Sequence, residues 1–107
     1  MSEPLLLALV APAVPEWALA ALRAGFEEES VPLAIERAEG SSHELGRAAA
    51  SRALLGIGLG VDARGACAVL AAAPAEPYLR APPAVLRAFA QDAARLAGRR
   101  PLRRPAT

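Results

Sequence analysis

The sequence predicts a small single-domain α/β fold of order β-α-β-α-β-β-α, a four-stranded mixed sheet with helices on its faces. Three observations predict it. Apolar runs of strand length alternate with stretches of helical periodicity. A glycine-alternating segment runs into a turn signal and then a second apolar run, the pattern of a hairpin. The chain has 107 residues, enough for one modest core.

The elements follow in order. Residues 4–11, "PLLLALVA", form a continuous apolar run, as expected of a strand buried on both faces. Pro15 suits the first turn of a helix reaching about Glu29. Leu19, Leu22 and Phe26 mark the inward face of this helix, and Glu16, Arg23 and Glu27 the outward one. "VPLAIERA", 31–38, reads as a second strand. Ser41 and Glu44 then match the S-x-x-E capping box that opens an alanine-rich helix over 42–53.

"LLGIGLGVD", 54–62, is the third strand, with Leu55, Ile57 and Leu59 on one face and Gly56, Gly58 and Gly60 leaving the other bare. A bare face lets a helix or another backbone approach closely. "DARG" turns the chain into "ACAVLAA", 66–72, a returning strand at the sheet edge. Four prolines in "PAEPYLRAPP", 74–83, predict an extended connection. The last helix covers about 83–97, with Val85, Phe89, Ala93 and Leu96 inward and Gly98 as its C′ stop. Right-handed crossovers make the first three strands parallel.

Composition narrows the function. All twelve basic residues are arginine. Residues 1–98, the expected domain, hold eight arginines against eleven acids, and the tail, 99–107, adds Arg99, Arg100, Arg103 and Arg104. No RNA-binding aromatic motif or zinc-finger spacing accompanies this basic tail, so nucleic acid is not the expected partner. No apolar stretch is long enough to span a bilayer, and "PLLLALVAP" lacks the basic flank of a signal peptide. A lone cysteine, Cys67, excludes an internal disulfide framework. The cytoplasm is the default location.

Catalytic motifs are lacking. "GIGLG" lies inside a strand rather than in a turn opening a helix, and no lysine exists to build a phosphate loop. His43 has no partner at ligand spacing and reads as a solvent-facing first-turn residue. Cys67, between alanines, reads as a buried packing residue. Asp62 is explained by turn chemistry. Catalysis needs convergent polar groups, and no such pair is evident, so a protein-binding module is favoured over an enzyme.

One acidic run is conspicuous. Glu27, Glu28 and Glu29 crowd the C-terminal end of the first helix, where the macrodipole disfavours each exposed carboxylate by about 0.3–1 kcal/mol. Glu27 continues the outward line. Glu28 ends a stripe of Trp17, Ala21 and Ala24, one large aromatic and two small residues beside the core face. Glu29 lies nearest Phe26. The run is either solvated, or the stripe presses against another protein with Glu28 reaching across.

Several ordered segments resemble a known family. They are "GFEEESVPL" (25–33), "AAASRALLGIGLGVD" (48–62), "PAEPYL" (74–79) and "DAARLAGRRPLR" (92–103). Together they resemble the small (beta) subunit of the reactivating factor for coenzyme-B12-dependent diol and glycerol dehydratases. The resemblance implies the fold of the dehydratase medium subunit and a non-catalytic role without cofactors of its own. It implies a large ATPase-like partner carrying magnesium and ATP or ADP, commonly in a two-plus-two heterotetramer. The assembly is a chaperone-like reactivase that releases damaged cobalamin from the dehydratase, which it grips transiently through subunit swapping. Neither nucleic acid nor a membrane is implied as a partner. Association with a bacterial microcompartment, the dehydratase served and its diol substrate stay open.

The resemblance also implies a role for Glu28: aligned on the flanking glycine and proline, it would ligate the magnesium of the large subunit in trans, a hard-oxygen donor to a hard cation. Ser30 stands where the family more usually has glycine, and Arg99 and Arg100 replace a more apolar link. Two alternatives share the fold. One is the dehydratase medium subunit itself, which is considerably longer. The other is a stand-alone anticodon-binding-like module using the arginine tail.

Overall fold

The computed structural model describes residues 3–98. The chain folds as β1 (Leu7–Val10), α1 (Glu16–Glu28), β2 (Ala34–Arg37), α2 (Ser42–Arg52), β3 (Ile57–Asp62), β4 (Gly65–Leu70) and β5 (Leu79–Ala81). A 3₁₀ turn (Pro83–Val85) then leads into α3 (Leu86–Ala97). The basic tail, 99–107, lies outside the described residues.

One sheet runs β2-β1-β3-β4-β5. β1 pairs in parallel with β2 and β3, and β3-β4 and β4-β5 are antiparallel. The sheet therefore has five strands rather than four, and β4 is internal rather than at the edge. The extra strand, β5, is three residues long and lies inside the proline-rich connection. Proline lacks a ladder donor and is confined to strand ends and edges. Pro77 and Pro82 flank this edge strand without interrupting it.

The glycine face is covered by this chain's own α2. A Cβ at Gly58 would fall 2.0 Å from Ala50 N, and one at Gly60 would fall 1.8 Å from Ser42 O. Helix and sheet touch backbone to backbone, which only glycine permits. Register carries the two faces across the sheet, because directly paired residues share a side. Gly60, Cys67 and Arg80 are paired in turn on the α2 side, and Leu59, Ala68 and Leu79 on the other. α1 and α3 pack together on that other side, so the sheet is sandwiched. Leu19, Leu22, Phe26, Leu59, Phe89 and Ala93 are buried in one core.

Local chemistry sets the boundaries. The Ser41 hydroxyl accepts from Glu44 N at 3.2 Å and Glu44 Oε1 accepts from Ser41 N at 2.9 Å, forming the expected capping box. Asp62 closes the hairpin: Oδ1 accepts from Arg64 N at 2.8 Å and Gly65 N at 3.0 Å, while Oδ2 accepts from Ser42 N at 2.8 Å. One turn residue thus ties the hairpin to the start of α2. Arg37, at the end of β2, donates from Nη1 to Ala11 O and Val14 O at 2.8 and 2.9 Å, fixing the β1–α1 loop.

Other expectations need correction. Leu55 is 48% exposed instead of sharing the face of Ile57 and Leu59. It precedes β3, and Gly56 at φ +69° breaks the alternation. Val85 is 36% exposed because it belongs to the 3₁₀ turn. A turn of three residues rotates each side chain further than the 3.6-residue period extrapolated back from α3. Gly98 caps α3 at φ −84°, outside the left-handed region of a C′ glycine. His43 is half-buried rather than solvent-facing, its Nε2 donating to Pro74 O at 3.0 Å.

Candidate functional site

The acidic end of α1 packs on α3. The helices meet closely at Gly25, where a Cβ would fall 2.5 Å from Ala90 Cβ and 2.6 Å from Arg87 O. This contact brings the carboxylates that follow Gly25 alongside the polar line of α3. Arg87, Gln91 and Arg95 recur at four-residue spacing and so share one helix face.

The three acids diverge in fate. Glu27 is exposed. The Glu28 carboxylate takes a two-pronged grip from Arg87, with Nε donating to Oε1 at 3.1 Å and Nη2 pairing with Oε2. Gln91 Nε2 donates to Oε1 as well. Glu29, whose side chain is only 9% exposed, pairs with Arg95 Nε at 3.2 Å. Cations therefore do wait at the unfavourable end of α1, and α3 supplies them. Glu28 acts on Arg87 in return: the hydrogen bond to it, then its negative charge, raises the guanidinium pKa.

The helix stops in a Schellman motif. Ser30 N donates to Glu27 O at 3.0 Å and Val31 N to Phe26 O at 3.1 Å. Ser30 sits at φ +57°, the left-handed conformation that favours glycine. The turn glycine of the resemblance thus has a physical reason, and serine adopts the same conformation here.

Of the stripe, Trp17 is 59% exposed, Ala21 and Ala24 are half-buried, and Glu28 stands at its end. Beside it Ala84, Val85, Arg87, Ala88 and Gln91 line a shallow cavity of about 410 Å³. Gln91 Oε1 is buried with no hydrogen-bond partner among the described residues. The face joins an exposed aromatic, small side chains and a carboxylate. Chemically it can bind another surface through apolar contact and polar exchange.

Metal and nucleophile chemistry have little to build on elsewhere. Among the described residues no three His, Cys, Asp or Glu side chains cluster as a metal set. Burial pushes the Cys67 thiol pKa up, against smaller opposing pulls from Ser42 and Arg80, so it is not an activated thiolate. No helix among the described residues is long and apolar enough to cross a membrane. Sequence reasoning reached Trp17, Ala21, Ala24 and Glu28 but missed Arg87, Gln91 and Arg95; their shared spacing was the available signal.

Comparison with known proteins agrees with this architecture. Among curated proteins no sequence matches significantly. Among solved structures the chain is similar to one described as glycerol dehydratase reactivase, with 24% identity and a TM-score of 0.83, covering 94% of this chain and 97% of that one. It is equally similar to a chain of a diol dehydratase-reactivating factor complexed with ADP and Mg2+, with 21% identity and a TM-score of 0.84, covering 96% and 100%. These likenesses establish the fold. The family model described as dehydratase medium subunit matches residues 3–103, nearly the whole chain, and the chain belongs to that family.

Proposed function

We propose that this chain is the non-catalytic small subunit of a dehydratase reactivase, an ATP-dependent chaperone-like factor acting on coenzyme-B12-dependent diol or glycerol dehydratase. One observation carries the reading. The chain shares its fold with the reactivase chains over nearly their whole length as well as its own. In this proposal it pairs with a large ATPase-like subunit, in a two-plus-two assembly, within the cytoplasm. The large subunit holds the nucleotide and magnesium, as ADP and Mg2+ accompany the reactivating factor among the similar structures. Exchange of this chain with the equally shaped dehydratase subunit frees the damaged cobalamin.

The partner face is the Trp17–Glu28 stripe. Glu28 is the proposed magnesium ligand in trans. Three donors from Arg87 and Gln91 already engage its carboxylate. Ligation then displaces Arg87, whose side chain is 62% exposed. Among the described residues no three His, Cys, Asp or Glu side chains cluster as a metal set, which suits a single ligand donated to a site completed by another subunit.

Substituting Glu28→Gln in the co-expressed complex tests this. The expected result is an intact, folded small subunit whose complex needs more magnesium to reactivate the dehydratase. Identical magnesium titrations of the native and substituted complexes refute the role of Glu28.

The family description itself favours a second reading, a medium subunit working inside a dehydratase. That reading requires co-purification with the remaining dehydratase subunits as an active enzyme, in place of an ATPase-like partner.

A further inference from the structure

A second cavity, of about 390 Å³, opens on the α2 side of the sheet, away from the α1–α3 face. It lies between the first turn of α2, the β3–β4 turn and β5, near the carboxyl end of β3. Its lining includes Arg64, Arg80 and His43, together with the apolar surfaces of Pro77, Pro82 and Cys67.

The charges around it do not cancel. Arg37, Arg52, Arg87 and Arg95 each pair with a carboxylate, whereas neither Arg64 nor Arg80 takes part in an ion pair among the described residues. No acid lines the cavity. The nearby Asp62 carboxylate is engaged by three backbone N–H groups, those of Ser42, Arg64 and Gly65. Arg80 faces this side because it pairs with Cys67 in register. Two guanidiniums lining one cleft suit an oxyanion with several acceptor oxygens. The cleft is of the size that holds small organic ligands, and its proline and thiol surfaces offer an apolar seat.

We propose that this cavity binds a small organic phosphate monoester, its phosphate held by Arg64 and Arg80 and its apolar body resting against Pro77, Pro82 and Cys67.

Amide chemical shifts of the full chain, titrated separately with phenyl phosphate, inorganic phosphate and benzyl alcohol at low salt, test the assignment. Phenyl phosphate is expected to give saturable shifts at Ser42, His43, Gly65, Cys67 and Arg80. Inorganic phosphate binds more weakly, and benzyl alcohol does not bind. Arg80→Gln weakens phenyl phosphate about tenfold, near 1.4 kcal/mol, and Arg64→Gln with Arg80→Gln abolishes its shifts. Both arginines are exposed, so an otherwise unchanged spectrum confirms that the variants fold. Four results each overturn the proposal: no saturation by about 20 mM, a ceiling well above drug-like affinity; equal affinity for inorganic phosphate; unchanged shifts in the double variant; or shifts confined to the tail arginines.

Discussion

Gly60→Ala probes the joint on which the sandwich depends. The added Cβ would lie 1.8 Å from Ser42 O and 2.4 Å from Gly46 N, both backbone atoms that no side-chain rotation can move aside. Restoring ordinary contact requires α2 to retreat by more than about 1 Å. That retreat loosens Leu45, Ala49 and Ala50, all buried, and stretches the bond from Ser42 N to Asp62 Oδ2. Overpacking costs about 1–3 kcal/mol, and loss of a hydrogen bond to a charged group adds about 1.5 kcal/mol or more. The expected total is about 3–4 kcal/mol, a fall in Tm of roughly 15 °C or more for a domain of this size. Urea denaturation measures it, with an unchanged m-value showing that the unfolded state is unaffected. Gly56→Ala is the control. Its Cβ meets only Ala71 Cβ at 3.5 Å, so the left-handed conformation alone costs about 1–2 kcal/mol. A Gly60→Ala protein within about 0.5 kcal/mol of native, or no less stable than Gly56→Ala, would refute the packing argument.

Three further outcomes are expected. Ser30→Gly relieves the left-handed strain at the end of α1 and stabilises by about 0.5–1 kcal/mol; a lower denaturation midpoint contradicts the Schellman assignment. Asp62→Ala removes the acceptor for three backbone N–H groups and costs about 2–3 kcal/mol, and a melting temperature equal to native argues against that junction. Glu44 is held below the ordinary glutamate pKa, chiefly by the Ser41 backbone N–H and next by the Ser41 hydroxyl. Its ionised form therefore stabilises the fold at pH values above about 4.3, and that share is lost as pH falls through the lower folded value. Thermal melts of native and Glu44→Gln protein at about pH 7 and about pH 3 should show a smaller native advantage at the lower pH; an equal difference at both excludes the linkage.

Much of the fold was legible because its signals are local. The capping box at Ser41 and Glu44, the inward line Leu19, Leu22 and Phe26, and the glycine face of β3 are each set by residues a few positions apart. β5 was not legible, since three residues between prolines carry no detectable period. Without β5, β4 was left at the edge. Val85 and Leu55 were misplaced because regular periods were extended across a 3₁₀ turn and a left-handed glycine.

The site divides the same way. The stripe from Trp17 to Glu28 follows from helical geometry, but the cations answering Glu28 and Glu29 lie some sixty residues onward, on α3. Sequence proximity could not reveal them. Their arrangement reframes the acidic run as an α1–α3 polar seam, with Glu28 at its exposed rim.

Co-expression tests the proposed partner most directly. The chain is to be co-expressed with the ATPase-like reactivase large subunit of the same genome and examined by gel filtration with light scattering. Co-elution as a stable two-plus-two complex is predicted, with Trp17→Ala weakening it while leaving the isolated chain folded. Separate elution of the two chains, with nucleotide and magnesium present, would contradict it.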